Sequence, residues 1–337
     1  MNPILVELSR GGITESFHRG VICVVDDSGK IIYSKGDTSQ VCYPRSALKY
    51  LQHIPLIAQG IADHFKISDQ ELALMCGSHN GEDTHVQTVR SLLQKIGYSE
   101  NELQCGSQNP TRKSDWIQLI KSGDFAKAVH NNCSGKHAGF LAFNAFHHLA
   151  TQEYLSPQFS LQTQIKDTIA RFAELDSQKL HAGIDGCSAP TYALSVYHQA
   201  LMYKNLISPN ANIPLEEQNA AKRIVNAVAA FPEMVAGTKR YCTDLMRVTQ
   251  GRIIGKTGAD GVYCLSIPEK KWGISIKVDD GKMGPQYQIA QALLTHLELL
   301  NPEEAQMLDP YQEFDIPNFA GNIASHTRVV NLENEAL

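Results

Sequence analysis

The chain has 337 residues, of which 43% are hydrophobic and 19% are charged, and its formal net charge is −5. This length fits one large domain or two small ones with a full core, and the composition excludes a disordered tail protein, a collagen and a coiled coil. The mild acidity, without a run of Lys or Arg, leaves no electrostatic footprint for nucleic acid. No apolar stretch reaches the roughly 18 residues that a membrane span needs. We therefore expect no nucleic-acid partner and no membrane partner.

The first residues lack the basic start and the long apolar region of a signal peptide, so we expect a cytoplasmic protein. Eight cysteines are spread along the chain without a C-x-x-C pair. Because a cytosol keeps thiols reduced and a chain of this length needs no disulfides, most of them should be buried as small apolar side chains.

The strand signals come from the two ends of the chain. Residues 21–25 and 30–34 are rich in β-branched side chains and flank the turn Asp27-Ser28-Gly29, which predicts a hairpin. Three further strands are predicted at 252–254, 262–267 and 272–278. The sequence therefore predicts an α+β fold with one antiparallel sheet built from N- and C-terminal strands, over about 3–43 and 250–300, and with helices packed on it.

Between these ends the apolar period changes to 3.6 residues, which indicates helices. Ser68 and Glu71 form a predicted capping box, and a helix near 86–96 should end at Gly97. Two further helices are predicted over 220–230 and from about 285 to 300. We expect a single domain over 1–337, with a mostly helical part over about 44–249 and a polar tail after residue 301 that wraps the surface.

The first chemical candidate is the segment Pro44-Arg45-Ser46-Ala47-Leu48-Lys49. Helical i, i+3 spacing would place Ser46 beside Lys49, and Pro44 favours a helix start, where the dipole stabilises a developing anion. A serine becomes a good nucleophile once a base takes its proton, and a neutral lysine can do so. Ser-x-x-Lys by itself also fits an exposed helix face.

Two later segments strengthen this hypothesis. Gly77-Ser78-His79-Asn80-Gly81 is a polar loop after an apolar segment, and Gly255-Lys256-Thr257-Gly258 follows a predicted strand. Each alone also fits an ordinary turn. Together the three segments give Ser-x-x-Lys, Ser-x-Asn and Lys-Thr-Gly in chain order, which is the signature of penicillin-binding proteins and β-lactamases.

A third group combines glycines with polar side chains in the segments 131–139 and 184–191. By ligand type, Cys133, His137 and Cys187 would form a plausible zinc set. Their spacing matches no standard zinc module. Two buried cysteines beside a helix-capping loop are the alternative interpretation.

Five blocks of sequence carry a resemblance to a known family: Arg10-Gly11-Gly12, Pro44-Arg45-Ser46-Ala47-x-Lys49, Asn131-Asn132-Cys133-Ser134-Gly135-Lys136-His137-Ala138-Gly139-Phe140, Ile184-Asp185-Gly186-Cys187-Ser188-Ala189-Pro190-Thr191 and Val235-Ala236-Gly237-Thr238. Over about residues 3–297 the chain resembles the rhizobial-type L-asparaginases, also called the class 3 or thermolabile-asparaginase-like family. That family is related in fold to serine β-lactamases and to serine-dependent glutaminases.

The resemblance implies a hydrolase that converts L-asparagine to L-aspartate and ammonia and forms a homodimer. It implies two Ser–Lys tandems, Ser46 with Lys49 and Ser78 with Lys256. In the mechanism that we expect, Ser46 attacks the side-chain amide carbon, Lys49 accepts its proton, and Ser78 relays a proton to the leaving ammonia. Exchange of the roles of the two serines is the alternative.

The resemblance also implies a zinc ion bound by Cys133, Lys136 and Cys187, where the residue-based hypothesis had His137 in place of Lys136. Asp185 would lie beside this metal, which would tune substrate binding rather than activate water. Candidates for contact with the substrate are Arg45, Asp185, His137 and Arg240, because arginine pairs with carboxylates through two parallel hydrogen bonds.

Three other functions remain open at this point: a serine-dependent glutaminase, a β-lactam-recognising enzyme, and a non-catalytic zinc-binding or amide-sensing module. Glutamine differs from asparagine by one methylene, worth only about 1–3 kcal/mol in a pocket. Asn80 and Thr257 make the chain more β-lactamase-like than some relatives, and would shift its substrate preference.

Overall fold

The computed structural model describes residues 1–333. The strands are β1 Ile4–Arg10, β2 Ile13–Val25, β3 Ile31–Lys35, β4 Val41–Cys42, β5 Ala182–Ile184, β6 Pro190–Tyr192, β7 Leu194–Ser195, β8 Ile254–Gly258, β9 Val262–Ile267, β10 Trp272–Val278, β11 Phe314–Pro317 and β12 Ile323–Val329. The α-helices are α1 Lys49–Gln52, α2 Ile54–Ala58, α3 Ile61–His64, α4 Asp69–Met75, α5 Asp83–Lys95, α6 Lys113–Lys121, α7 Ser134–Phe146, α8 Ser160–Phe172, α9 Val196–Asn205, α10 Leu215–Ala230, α11 Pro232–Val235, α12 Tyr241–Val248, α13 Pro285–His296 and α14 Pro302–Leu308.

The contacts divide the chain into two compact units. Unit 1 contains Met1–Ala47, Leu194–Lys204 and the chain from Asp244 onward, and unit 2 contains Leu48–Ala193 and Asn205–Thr243. The single domain that the sequence suggested stays a prediction. Each unit is described by itself below.

Unit 1 is built on an eight-stranded sheet in the order β11-β12-β1-β2-β10-β9-β8, with β3 also pairing with β2. All of these pairings are antiparallel. The long strand β2 pairs with β1 through its first half and with β10 through its second half, from Gly20 to Val25. The predicted α+β class, with a sheet from both termini, is therefore confirmed.

Helix α9 packs on the sheet of unit 1. Val196 and Ala200 of this helix join Val21, Cys23 and Val25 of β2 in one buried cluster. The close approach needs a glycine, because a Cβ at Gly273 would lie 2.0 Å from the Ala200 carbonyl oxygen. Helix α13 also packs on β9 and β10. Covered in this way, β9 is buried along its whole length, which explains why it is a continuous apolar run in the sequence.

The C-terminal tail differs from the expectation. The sequence suggested a segment that wraps the surface, but residues 314–317 and 323–329 form β11 and β12, and β12 pairs with β1. Strand β1 was also missing from the prediction. Strands β1 and β12 are only partly buried, so their apolar periodicity is too weak to show in the sequence.

Unit 2 is mostly helical, as predicted. Helix α4 packs on α7 and on α10, and α2 also packs on α10. The predicted capping box is present, since the Ser68 side chain accepts a hydrogen bond from the Glu71 amide at the start of α4. Helix α5 buries the predicted apolar face and is followed by Gly97, whose φ of 80° suits a helix end.

The helices show no membrane-spanning candidate. Within residues 1–333, none is both long enough and apolar enough to cross a bilayer.

His53, in the core of unit 2, leads to a prediction about acid stability. Its side chain is fully buried, and Nδ1 lies 3.0 Å from the Lys49 carbonyl oxygen. Burial lowers the pKa of His53 to about 4. Below about pH 6.5, His53 is therefore protonated in the unfolded chain but stays neutral in the folded chain until the pH approaches 4. Stability should fall as the pH drops from 6.5 towards 4, by up to about 3 kcal/mol for this residue alone.

Urea unfolding at several pH values between 7.5 and 5 measures this effect. His53→Asn should flatten the slope of unfolding free energy against pH, whereas the exposed His147→Gln should leave the slope as in the wild type. An unchanged slope in His53→Asn would contradict the prediction.

Candidate functional site

In unit 2, Lys49 and Ser78 form a buried hydrogen-bonded pair. The Lys49 side chain is 1% exposed, and its Nζ donates to the Ser78 Oγ at 3.0 Å. The same nitrogen also donates to the carbonyl oxygens of Gly77 at 2.5 Å and Asn132 at 3.1 Å. Three acceptors around this nitrogen fix the position of the Lys49 side chain. The tandem of Ser46 with Lys49 stays a prediction, and the structure adds the contact of Lys49 with Ser78.

The Ser78 loop lies against the segment 235–240. The Ser78 amide donates to the Val235 carbonyl oxygen at 2.7 Å. A Cβ at Gly77 would lie 2.5 Å from the Met234 carbonyl oxygen, so only glycine allows this approach. The glycine before Ser78 thus has a packing role, which the sequence alone showed only as part of a turn.

Two stacked histidine side chains pack next to the Ser78 loop. His79 and His85 stack at 4.9 Å between ring centroids. The His79 Nδ1 accepts a hydrogen bond from the Gly81 amide, and its Nε2 lies 3.0 Å from the Ser134 hydroxyl. Burial, with a smaller repulsion from His85, holds the pKa of His79 well below its usual range. Both ring nitrogens of His79 thus have partners within the packing of this loop.

In unit 1, Ser46 lies in a short 3-10 helix, Arg45–Leu48. Its side chain is half-buried, and within residues 1–333 its hydroxyl has no hydrogen-bond partner. Arg45, the preceding residue, has φ of 54°, in the left-handed region that non-glycine residues rarely adopt. Such strain recurs at functional sites. The Arg45 guanidinium pairs with Asp260.

Lys256 lies in β8 of unit 1, with a fully buried side chain. Its Nζ donates to the Thr257 carbonyl oxygen at 2.9 Å. The Thr257 hydroxyl lies 3.0 Å from the Tyr287 hydroxyl. The alternative interpretation of this segment was a turn with a solvent-exposed lysine, but Lys256 is buried and lies in a strand. The tandem of Ser78 with Lys256 stays a prediction.

Cys133, Lys136 and Cys187 form a buried cluster in unit 2. Cys133 precedes helix α7, and Lys136 follows it by three residues, on the same helix face. The Lys136 Nζ lies 2.9 Å from the Cys187 Sγ. The Asp185 Oδ2 is 3.9 Å from the same sulfur. The structure therefore brings together the three residues that the resemblance implied, with Asp185 beside them.

The charges of this cluster are coupled. A hydrogen bond from Cys187 holds the pKa of Cys133 well below its usual range, because it stabilises the thiolate. Burial opposes the charge on Lys136, but the Cys187 and Cys133 sulfurs outweigh it and raise the pKa of Lys136.

The donor set fits zinc, which prefers sulfur and nitrogen ligands. Two sulfurs and an amine nitrogen meet here in a site that excludes water. Residues 1–333 contain no group of three His, Cys, Asp or Glu side chains able to hold a metal, and the set with His137 in place of Lys136 stays a hypothesis. His137 also lies beside the cluster: its Nδ1 is 2.7 Å from the Tyr154 hydroxyl, and its side chain hydrogen-bonds to Cys187. Burial lowers the pKa of His137 to about 4, although the hydrogen bond with Cys187 opposes this shift.

Arg240 is a candidate that the structure places beside the Ser78 loop, where it donates to the Asn80 Oδ1 at 2.8 Å. Glu82 and Thr238, which sequence reasoning missed, link the same two segments. The signal available in the sequence was the pair of blocks that contain Ser78 and Gly237. Nothing in their spacing showed that they meet.

Among solved structures, the chain is similar to Mglu in its tris and glutamate form, at 12% identity and a TM-score of 0.46 over 89% of this chain and 64% of that one. It is also similar to a β-lactamase from Mycobacterium bovis, at 12% identity and a TM-score of 0.38 over 82% of this chain and 94% of that one. The chain thus spans less than two thirds of the Mglu chain. No curated protein matches it in sequence.

One family model matches the sequence from residue 6 to residue 329, and its description is L-asparaginase II. This range includes every candidate residue named above. The chain therefore belongs to the L-asparaginase II family, a family of amidohydrolases.

Proposed function

We propose that this protein hydrolyses L-asparagine to L-aspartate and ammonia through a serine ester. The observation that carries the proposal is the buried hydrogen bond from the Lys49 Nζ to the Ser78 Oγ, in a chain of an amidohydrolase family. A buried lysine that is hydrogen-bonded to a serine hydroxyl can transfer protons during attack on an amide carbon.

Ser46 is the nucleophile in this proposal. Its hydroxyl is free of hydrogen bonds within the described residues and half-exposed, whereas Ser78 is buried and held by Lys49. The Ser46 oxygen forms a bond to the amide carbon as Lys49, in its neutral form, takes the hydroxyl proton and becomes an ammonium. Backbone N–H groups stabilise the oxyanion, and such a donor is worth about 2.7–4 kcal/mol.

The Lys49–Ser78 hydrogen bond supports a route for this proton. The carbon–nitrogen bond breaks as the proton passes from Lys49 through the Ser78 hydroxyl to the leaving nitrogen, which departs as ammonia. Water then attacks the aspartyl ester, L-aspartate leaves, and the Ser46 hydroxyl re-forms, so that atoms and charges balance.

We also propose that Cys133, Lys136 and Cys187 bind zinc. The metal would neutralise the paired thiolates and hold the segments around residues 133 and 187 together. Binding requires a deprotonated lysine and two thiolates, and metal affinity should therefore rise with pH. The homodimer implied by the resemblance remains a prediction.

Zinc titration of the metal-free protein at pH 6.5, 7.5 and 8.5 checks this affinity. The dissociation constant should fall at each step, and the melting temperature should rise when zinc is added. Cys187→Ser should lose the metal, whereas Cys105→Ser, at a buried cysteine outside the cluster, should keep it. Retention of stoichiometric zinc by Cys187→Ser would contradict the assignment.

The test of the activity is ammonia release from L-asparagine and from L-glutamine by the wild-type protein at pH 8–9. Release from L-asparagine is expected. A preference for L-glutamine would turn the assignment to a glutaminase. If neither amide released ammonia, the proposal would be overturned, and β-lactam hydrolysis would be measured next.

A further inference from the structure

Arg240 lies on the segment that packs against the Ser78 loop, and its charge is not neutralised by a carboxylate. Within residues 1–333 it forms no ion pair, and its one hydrogen bond is the 2.8 Å contact from Nη1 to the Asn80 Oδ1. The side chain is half-buried. A guanidinium carries five N–H donors, so most of them are available to a ligand.

The Asn80 amide is held in one orientation. Its Nδ2 donates to the Glu82 Oε1 at 2.9 Å and to the Thr238 carbonyl oxygen at 3.1 Å. Both amide hydrogens are thereby used, so the oxygen must face Arg240. A rotated amide would direct N–H groups at the guanidinium and an oxygen at the carboxylate, which is unfavourable on both sides.

Glu82 fixes this arrangement instead of pairing with Arg240. Its Oε1 also accepts from the Thr238 amide at 2.8 Å, and its Oε2 accepts from the Thr238 hydroxyl at 3.1 Å. Arg112 lies 3.6 Å from Oε1. These hydrogen bonds to the carboxylate hold its pKa below the usual range despite burial, so the charge persists at neutral pH.

Gly237 permits the assembly. Its φ is 105°, and a Cβ there would lie 2.8 Å from both the Asn80 Nδ2 and the Glu82 Oε1. No other residue fits this position without moving the network. Asn80, Glu82 and Thr238 therefore form a rigid mount for one unpaired cation, which we call the Arg240 mount.

We propose that the Arg240 mount determines substrate specificity. In it, Asn80 and Glu82 position Arg240 to bind the α-carboxylate of the amino acid substrate. This inference rests on the proposed amidohydrolase function and adds to it the residue that selects substrates with a free α-carboxylate. Substrates in which that carboxylate is an ester should bind poorly.

The dimensions agree with this assignment. Asn80 follows Ser78 by two residues, so their Cα atoms are at most about 7 Å apart. In asparagine the reacting amide carbon is three bonds from the carboxylate carbon, so a carboxylate anchor must lie close to the residues that act on the amide. Ser78, which the proposal places at the leaving nitrogen, is such a residue. Arginine binds carboxylates through two parallel hydrogen bonds, which fixes their orientation.

The test compares kcat and KM for L-asparagine and for its α-methyl ester. Asn80→Ala should raise KM for L-asparagine about 10-fold or more, with kcat changed less than about 3-fold, because a ground-state anchor is lost and the reacting groups stay in place. KM for the ester should stay unchanged. Arg240→Gln should show the same pattern. Equal KM increases for both substrates would overturn the inference.

Glu82 gives the test that separates positioning from folding. Glu82→Gln keeps an acceptor for Asn80 and should retain a KM near the wild-type value, whereas Glu82→Ala should raise it as Asn80→Ala does. Asn210→Ala is the matched control, since Asn210 also donates to a glutamate, at 2.7 Å from the Glu174 Oε1. If Asn80→Ala does not fold, the isosteric Asn80→Asp should raise KM, because its carboxylate neutralises Arg240. A wild-type KM in that variant would contradict the inference.

Calorimetric binding of L-aspartate distinguishes failure of this inference from failure of the proposed function. Weaker binding to Asn80→Ala than to the wild type supports the Arg240 mount even if no ammonia is released from either amide. Equal binding to both proteins overturns the mount and leaves the hydrolytic activity to its own test.

Discussion

Ser46→Ala is expected to lose asparaginase activity by about 10⁴-fold or more, because the proposed ester cannot form without its hydroxyl. The fold should survive the change, since that hydroxyl has no hydrogen-bond partner within residues 1–333 and is half-exposed. The melting temperature should therefore stay within about 1–2 °C of the wild-type value. Ammonia release and thermal unfolding, measured on the same preparation, check both halves of this prediction.

The matched control is Ser68→Ala. That serine caps α4, and its loss should cost about 1 kcal/mol of stability without lowering the activity. Quenching the wild-type reaction and locating the aspartyl ester by mass spectrometry tests the choice of nucleophile. An ester on Ser78 would exchange the roles of the two serines, and near-normal turnover by Ser46→Ala would refute the mechanism.

Lys49→Met is the second change with a large expected effect. It removes the base, which should lower kcat by about 10²–10⁴-fold. It also leaves the carbonyl oxygens of Gly77 and Asn132 buried without their donor, which should destabilise the protein by about 1–3 kcal/mol. Steady-state kinetics and urea unfolding measure the two effects separately.

Two comparisons sharpen this experiment. Lys49→Arg keeps a cationic donor that cannot act as a base, so it should be as inactive as Lys49→Met while it recovers part of the stability. Lys95→Met is the control, because Lys95 donates to the Lys66 carbonyl oxygen in the same unit, 3.0 Å away, and the proposed reaction does not use it. Activity in Lys49→Arg near the wild-type level would contradict a role as base.

The fold was predictable where burial leaves a strong pattern. Strands β9 and β10 and helix α5 show apolar runs or a 3.6-residue period because tertiary packing covers them in the way that those patterns require. Strands β1 and β12 escaped prediction because only part of each strand is buried. Their pairing is decided by backbone hydrogen bonds, which every sequence can form.

The candidate site was predictable as residue types and less so as pairs. Cys133 and Lys136 lie three residues apart on one helix, so helix geometry alone brings them to one face. The partner of Lys49 could not be deduced in this way. Ser78 is 29 residues away along the chain, and its contact with Lys49 depends on how α1 and the loop after α4 pack.

The class of chemistry could be read from the sequence, because serine, lysine and cysteine supply the hydroxyl, amine and thiol groups that such chemistry needs, while their reactivity depends on where the chain places them. The sequence also determined the helical centre and the sheet from both ends, through local periodicity. Only the tertiary structure decided that Lys49 binds Ser78 and that Asn80 and Glu82 hold Arg240. Such contacts join segments up to 160 residues apart, and local propensity carries no information about which distant segments meet.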